Sequence, residues 1–255
     1  MTLRWPVEAI WEAVAPTLPG FTVEVLAEID STNTELMRRA RAGRFEPVLL
    51  VAEGQTAGRG RLGRQWDSGS GPQAGDSLTF SLGLPLQMAD WSGLSLAVGV
   101  SVAQSLHPTL QLKWPNDVWL QGRKLAGILI ETALVGAARY AVIGVGVNIA
   151  PRDAAGLATP PAWLRELEPG IDAPQALQRL APPLVQAVRR FEAQGWGPFA
   201  PDFAKRDALA GGGVQLSDGT SGQAGGVDGN GALLVHTSGG LVKVSSSEVS
   251  VRPSN

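Results

Sequence analysis

The chain runs through two hydrophobic periods and then changes texture near its end. Trp5 to Leu18 spaces Val7, Ile10, Trp11 and Val14 at helical intervals, which predicts one apolar face. Phe21 to Glu28 reads as a strand. Asp30-Ser-Thr-Asn-Thr-Glu35 has the form of a helix start. Thr32 with Glu35 three residues later fits a capping box, and Leu36, Met37 and Ala40 follow on the apolar side. Val48 to Ala52 is a short buried strand. The segment from Gly54 to Asp76 is rich in Gly, Arg and Ser and reads as a long loop. Loops of that length inside a domain are usually functional or disordered.

Alternation returns in Ser77 to Leu84, a strand, and gives way to a small-residue apolar helix over Leu94 to Leu106. Leu110 to Lys113 and Val118 to Leu120 read as short strands around a Trp-Pro-Asn-Asp turn, with Gln121 to Lys124 as a hairpin turn. Leu125 to Leu134 and Tyr140 to Ile149 are apolar runs that look like paired central strands. Residues Pro160 to Gln194 are mainly helical, with Leu177, Leu180, Leu184, Val188 and Phe191 on one stripe. After Asp207 glycines and short alternating runs dominate. Val214 to Leu216, Leu233 to His236, Leu241 to Val244 and Ser247 to Val251 read as strands of a small β-barrel. Mixed α and β followed by all β predicts an α+β domain with a β appendage.

Composition narrows the function classes. A chain of 255 residues with 44% hydrophobic and 17% charged residues is globular. A net charge of -2 gives no global field toward nucleic acid or acidic membranes, so any positive patch must be local. There are no cysteines and only two histidines, His107 and His236, which argues against disulfides and zinc. No signal-peptide pattern and no run of about 20 apolar residues occurs, so a cytoplasmic protein without a membrane partner is expected.

Four segments carry candidate chemistry. In Glu53-Gly-Gln-Thr-Ala-Gly-Arg-Gly-Arg-Leu-Gly-Arg-Gln-Trp66, three arginines, Arg59, Arg61 and Arg64, fall within six positions with no acid between them. Gly58, Gly60 and Gly63 let the backbone approach a ligand, and guanidinium forks suit carboxylate and phosphate oxygens. The string matches G-x-G-x-x-G, but no helix follows it, and no Gly-Lys-Ser/Thr makes it a Walker loop. A solvated loop without ligand, or nonspecific RNA contact, is the alternative. In Lys113-Trp-Pro-Asn-Asp-Val118, Asp117 can hold Mg²⁺ and Asn116 a phosphate or ribose, or the segment is a plain Pro-Asn turn. Lys124 leads into an apolar strand, where its ammonium can neutralise an attacking carboxylate, or it is an exposed hairpin lysine. Gly127 within that strand, and Gly144 and Gly146 in the next, suggest room for a flat ligand, or tight packing. Asn148 suits a ligand's polar edge, or a turn cap.

Taken in order, Asp30-Ser-Thr-Asn33, the Gly-Gln-Thr-Ala-Gly-Arg-Gly-Arg-Leu-Gly-Arg run, Lys113-Trp-Pro-Asn-Asp117, Gly122-Arg-Lys-Leu-Ala-Gly-Ile-Leu-Ile-Glu131 and Gly144-Val-Gly-Val-Asn148 resemble the biotin protein ligases. Gly226 to Leu234 and Ser247 to Val251 resemble that family's terminal barrel. The resemblance implies a mixed β-sheet catalytic domain packed with helices over residues 1–208. A small SH3-like β-barrel over 209–255 would follow. It implies a ligase that activates biotin with ATP and Mg²⁺ to biotinyl-5'-AMP. The biotinyl group then passes to a lysine of biotin carboxyl carrier protein. Ser31, Thr32, Asn33 and Gln55 would bind the biotin ring, and Gly58, Arg59, Gly60 and Arg61 would close over biotin and the phosphate. Lys124, with Arg59, would act on the reacting groups, and Gly127, Gly144 and Gly146 would shape the biotin floor. Arg61, Arg64, Trp66, Lys113, Asn116, Asp117 and Asn148 would serve the nucleotide, with Asp117 on the metal. The family's N-terminal helix-turn-helix domain has no counterpart before Phe21, so a ligase-only type without DNA binding is expected. Gly69 to Asp76 reads as an insertion. Lipoate–protein ligase and a noncatalytic biotin-responsive module are the competing readings.

Overall fold

The computed structural model describes residues 3–68, 75–135, 138–152, 161–245 and 251–254, which form helices and strands. They are α1 (Val7–Val14), β1 (Thr22–Ile29), α2 (Thr32–Arg41), β2 (Val48–Gln55), β3 (Ser77–Leu86), α3 (Leu94–Leu106), β4 (Gln111–Lys113) and β5 (Asp117–Leu120). Next come β6 (Arg123–Val135), β7 (Ala138–Asn148), α4 (Ala173–Gln194), α5 (Ala200–Ala204), β8 (Gly213–Leu216), β9 (Ser221–Val227), β10 (Leu233–Thr237), β11 (Gly240–Val244) and β12 (Val251–Pro253). The chain divides into two units, Met1–Gln87 with Arg123–Gln186 and Met88–Gly122 with Ala187–Asn255. The architecture is α+β, as expected.

In the first unit the strand order is β1-β2-β3-β7-β6. β1 and β2 are parallel, and each later neighbour is antiparallel. The two expected central strands do pair, from Ala126 opposite Val147 to Val135 opposite Ala138. α2 lies on this sheet. Leu36, Met37 and Ala40 pack with Val48 and Leu50 of β2 and Tyr140 and Val142 of β7, all buried. Apolar residues spaced three and four apart on the helix meet residues spaced two apart on the strands, which seals the contact.

Two readings of the N-terminal region change. The first helix is shorter than Trp5 to Leu18, and Trp11 is 48% exposed while Ile10 and Val14 are buried. The Trp11 indole donates from Nε1 to Phe21 O at 3.1 Å, which satisfies its polar edge at the surface. The cap of α2 is Ser31, whose Oγ accepts from the N–H of Thr34 at 3.4 Å. Glu35 therefore sits one position beyond a capping box. Hydrogen bonds from Arg39 and Arg38 take its carboxylate and hold it below the usual carboxylate range. Two charged donors are better partners than one backbone N–H.

The second unit contains α3, the β4–β5 hairpin, the end of α4, α5 and a five-stranded antiparallel sheet ordered β11-β10-β9-β8-β12. Trp114 is fully buried there and donates from Nε1 to Gly231 O at 3.0 Å. β9 is a strand that sequence reading passed over. Ser-Gly-Gln-Ala-Gly-Gly-Val has low strand propensity, and pairing with β8 and β10 on both sides decides its conformation. The expected strand Ser247 to Val251 falls mostly on 246–250, outside the described residues, as does the start of the Pro160 to Gln194 segment. From Ala173 that segment is helical, and its apolar stripe is buried as expected.

Leu36 has no exposed surface, so Leu36→Ala is expected to cost about 2–5 kcal/mol of stability, read as a lower urea midpoint with unchanged m-value.

Candidate functional site

The face of the first unit's sheet beneath α2 is built from small residues. Residues paired across antiparallel strands point the same way, so the register defines rows. Thr79, Gly146 and Gly127 form one row, Ser81, Gly144 and Leu129 the next, and Gly83, Val142 and Glu131 the third. With three glycines and two hydroxyl residues in the first two rows, side chains from elsewhere can reach the backbone. The amide of Asn33 lies against Gly144, where an added Cβ would overlap Asn33 Oδ1. The indole of Trp66 lies against Gly146 and Gly127; a Cβ would overlap it at Gly146 and come within 3.3 Å at Gly127. The room expected above these glycines exists, and these two side chains use it.

A neutral hydrogen-bond chain occupies the end nearest the start of α2. Asn33 Nδ2 lies 3.2 Å from Leu129 O and 3.0 Å from Glu131 Oε2. Both are acceptors, so this atom is the NH₂ and Oδ1 is the amide oxygen. Ser81 Oγ, at 2.6 Å from Asn33 Oδ1, must donate to it. Ser81 Oγ is also 2.7 Å from Thr32 Oγ1, and its only proton is committed, so Thr32 faces Ser81 as a donor; Thr32 Oγ1 also lies 3.2 Å from the acceptor Gln55 Oε1, and its one proton is shared between the two. The remaining lone pairs of Thr32 Oγ1 are thereby acceptors. Gln55 Oε1 accepts from the N–H of Thr32 at 2.8 Å, and the N–H of Gln55 donates to Ser68 Oγ at 2.9 Å. Ser31, Thr32, Asn33 and Ser81 are all buried. This end suits a neutral ligand bearing N–H donors.

Cations gather at the other end. The Gly-Arg segment, expected as open loop, starts later than Gly54 because β2 runs on to Gln55. It folds into a small hairpin. Arg59 bridges Gln65, Trp66 N donates to Gly58 O at 2.9 Å, and Gly60 N to Arg64 O at 2.7 Å. A turn over Arg61–Gly63 closes it, with Leu62 and Gly63 at φ 56° and 72°. Gly58 must lack a side chain, since a Cβ there would overlap the Trp66 carbonyl. Lys124 Nζ lies 5.7 Å from the Trp66 ring centre, and the Arg152 guanidinium 5.9 Å from it. Arg152 also donates to Asn148 Oδ1 at 2.9 Å and pairs with Asp67 at 3.0 Å. Asn148 Nδ2 donates to Ala162 O at 3.0 Å, so both ends of this amide have partners within the protein. Arg59 turns the opposite way, to the neutral end, where it reaches Glu131 Oε1 at 2.8 Å and Thr34 Oγ1 at 3.4 Å. Arg64 is exposed.

Lys113, Asn116 and Asp117 belong to the second unit. They line a small, half-open pocket with Leu96, Gly99 and Phe203. Lys113 Nζ lies 4.0 Å from Asp117 and 5.3 Å from the Trp119 ring centre. Among the described residues no group of three or more Asp, Glu, His or Cys is placed to hold a metal by itself.

The first unit thus assembles Ser31, Thr32, Asn33, Gln55, the Gly58–Arg64 hairpin, Trp66, Lys124, Gly127, Gly144, Gly146 and Asn148 around one sheet face. Sequence reading missed Ser81, Arg152 and Glu131. The signal for Ser81 was present: Ser77, Thr79 and Ser81 alternate with Leu78, Phe80 and Leu82, and all six are buried. A strand with hydroxyls along one buried face is solvating something. Gly144→Ala, which drives a Cβ into the Asn33 amide, is expected to destabilise by about 1–3 kcal/mol. Gly197→Ala, with open space around it, serves as the control; thermal unfolding of both compares them.

A family model described as the biotin/lipoate A/B protein ligase family matches residues 25–148, and a biotin protein ligase C terminal domain model matches 214–252. The chain is 33% identical to a biotin–[acetyl-CoA-carboxylase] ligase of Paracoccus denitrificans, over 88% of this chain and 98% of that one. It is 36% identical to the bifunctional ligase/repressor BirA of Escherichia coli, over 92% of this chain and 75% of that one. Among solved structures, the biotin protein ligase from Aquifex aeolicus in complex with biotin and ATP is similar with a TM-score of 0.76. That likeness has 28% identity and covers 91% of this chain and 99% of the other.

Proposed function

The chain belongs to the biotin protein ligases, and from that premise we infer how its own residues perform the reaction. It is a biotin–[acetyl-CoA-carboxylase] ligase that activates biotin with ATP and transfers it to a carrier protein lysine. The observation that carries this reading is the two-ended site on one sheet face. A neutral hydrogen-bond chain ending in Thr32 lies at one end and a Trp66 platform with Lys124 and Arg152 at the other. Biotin has the same polarity, a neutral urea ring at one end and a carboxylate at the other.

In the first step the biotin carboxylate attacks the α-phosphate of ATP and pyrophosphate leaves, giving biotinyl-5'-AMP. Two anions must approach, so the site must supply positive charge in place of water. We assign that task to Lys124 and Arg59, with Arg61 and Arg64 on the phosphates. Ser31, Thr32, Asn33 and Gln55 bind the ring, over the floor of Gly127, Gly144 and Gly146, with Gly58 and Gly60 in the covering hairpin. Trp66, Lys113, Asn116, Asp117 and Asn148 are assigned to the nucleotide side. Mg²⁺ would be held by Asp117 together with the substrate's own phosphates, which is how Mg²⁺ is usually bound where the protein offers one or two carboxylates. It would neutralise charge on the leaving group. In the second step a lysine amine attacks the acyl carbon and AMP leaves. The acceptor we propose is biotin carboxyl carrier protein of acetyl-CoA carboxylase, in the cytoplasm where ATP is available. The division into a catalytic part, 1–208, and a terminal barrel, 209–255, is supported by the separate matches to the two family models.

Incubation with ATP, Mg²⁺ and either biotin or lipoate, followed by mass spectrometry of the carrier, tests the reading. Biotin addition is expected, and lipoylation without biotinylation would overturn it. Lys124→Ala should slow biotin-dependent pyrophosphate–ATP exchange about tenfold to a hundredfold, the cost of losing a charged hydrogen bond. A binding module would show no exchange at all.

A further inference from the structure

Glu131 stands at the neutral end of the site, one row past Gly144 and Leu129, and nothing in the reaction above uses it. It is the third-row residue on the same sheet face, opposite Val142. Its two carboxylate oxygens have different partners. Oε1 pairs with Arg59 of the Gly-Arg hairpin at 2.8 Å, and Oε2 accepts from Asn33 Nδ2 at 3.0 Å. Asn33 in turn sets the direction of the chain through Ser81 to Thr32.

We propose that Glu131 is a positioning residue that couples the Arg59 hairpin to the ring-recognising chain headed by Asn33. The proposal rests on the biotin-ligase reading for the identity of the ligand, but not for the tether itself. A carboxylate is acceptor-only on both oxygens, so one group can hold two donors from different segments at once. An amide at the same place has a single acceptor oxygen and must release one of them. The hairpin would then lose its ion pair to the sheet, or Asn33 would lose one of its two acceptors. Arg59 is half exposed, with 47% of its side chain accessible, so the arm to Arg59 is a modest one by itself.

The test is a double-mutant cycle on the full chain with Glu131→Gln and Arg59→Ala. Biotin-dependent pyrophosphate–ATP exchange reports KM for biotin and kcat. Glu131→Gln in the wild-type background should raise KM for biotin and lower kcat, each about fivefold or less, because the exposed pair is modest and Arg59 also serves the adenylation step. In the Arg59→Ala background the same substitution should change KM less than twofold, because the single amide oxygen then serves Asn33 alone. Equal factors in the two backgrounds, or an unchanged KM in Glu131→Gln, would overturn the coupling.

A second measurement needs no ligand. Trypsin cleavage after Arg61 and Arg64 should be severalfold faster in Glu131→Gln than in wild type, with global unfolding midpoints compared in parallel. Equal cleavage rates would overturn the tether. Absence of exchange in the wild-type chain would instead count against the ligase reading, and the cleavage rates would still decide on the tether.

Discussion

A sheet face stripped of Cβ atoms is the constraint on which the site depends. Gly127, Gly144 and Gly146 let one amide and one indole lie directly on the strands. A methyl group at Gly144 or Gly146 would collide with Asn33 or Trp66, so neither side chain could keep its place. The indole's position then fixes where Lys124 and Arg152 stand, since both flank the same ring. The amide's position fixes the direction of each hydrogen bond from Asn33 to Thr32. Packing room, in this molecule, comes before polarity.

The two ends of the site are specified by different physics. At the neutral end the groups are buried, so each donor and acceptor must be matched within the protein or by the ligand. At the cationic end, charges sit beside an aromatic face in partial contact with solvent, where attraction is less directional. A ligand with a neutral hydrogen-bonding head and an anionic tail fits that pairing. The Gly-Arg hairpin lies across both, since Gly58 meets the Trp66 carbonyl and Arg59 reaches Glu131.

Much of this was legible in one sequence. Paired apolar runs announced β6 and β7, and α3 runs over the residues that small-residue patterning marked. The arginine-glycine cluster and the lysine entering an apolar strand point to anion chemistry by residue type alone. The misses have physical causes. Glu35 looked like the end of a capping box, yet Arg38 and Arg39 one turn on are stronger partners than a backbone N–H. β9 has the composition of a linker and is held in a ladder by neighbours on both sides.

Local pattern, then, determined the elements, the class of chemistry and most of the residues that carry it, because periodicity and residue type act over a few positions. Tertiary structure decided which of those residues meet. Ser81, Glu131 and Arg152 gained their roles from partners 48, 72, 98 and 4 positions away. Strand register alone puts Ser81 and Glu131 in adjacent rows of one face. No spacing rule along the chain encodes that register, because it is set where ladders and the helix above them pack together.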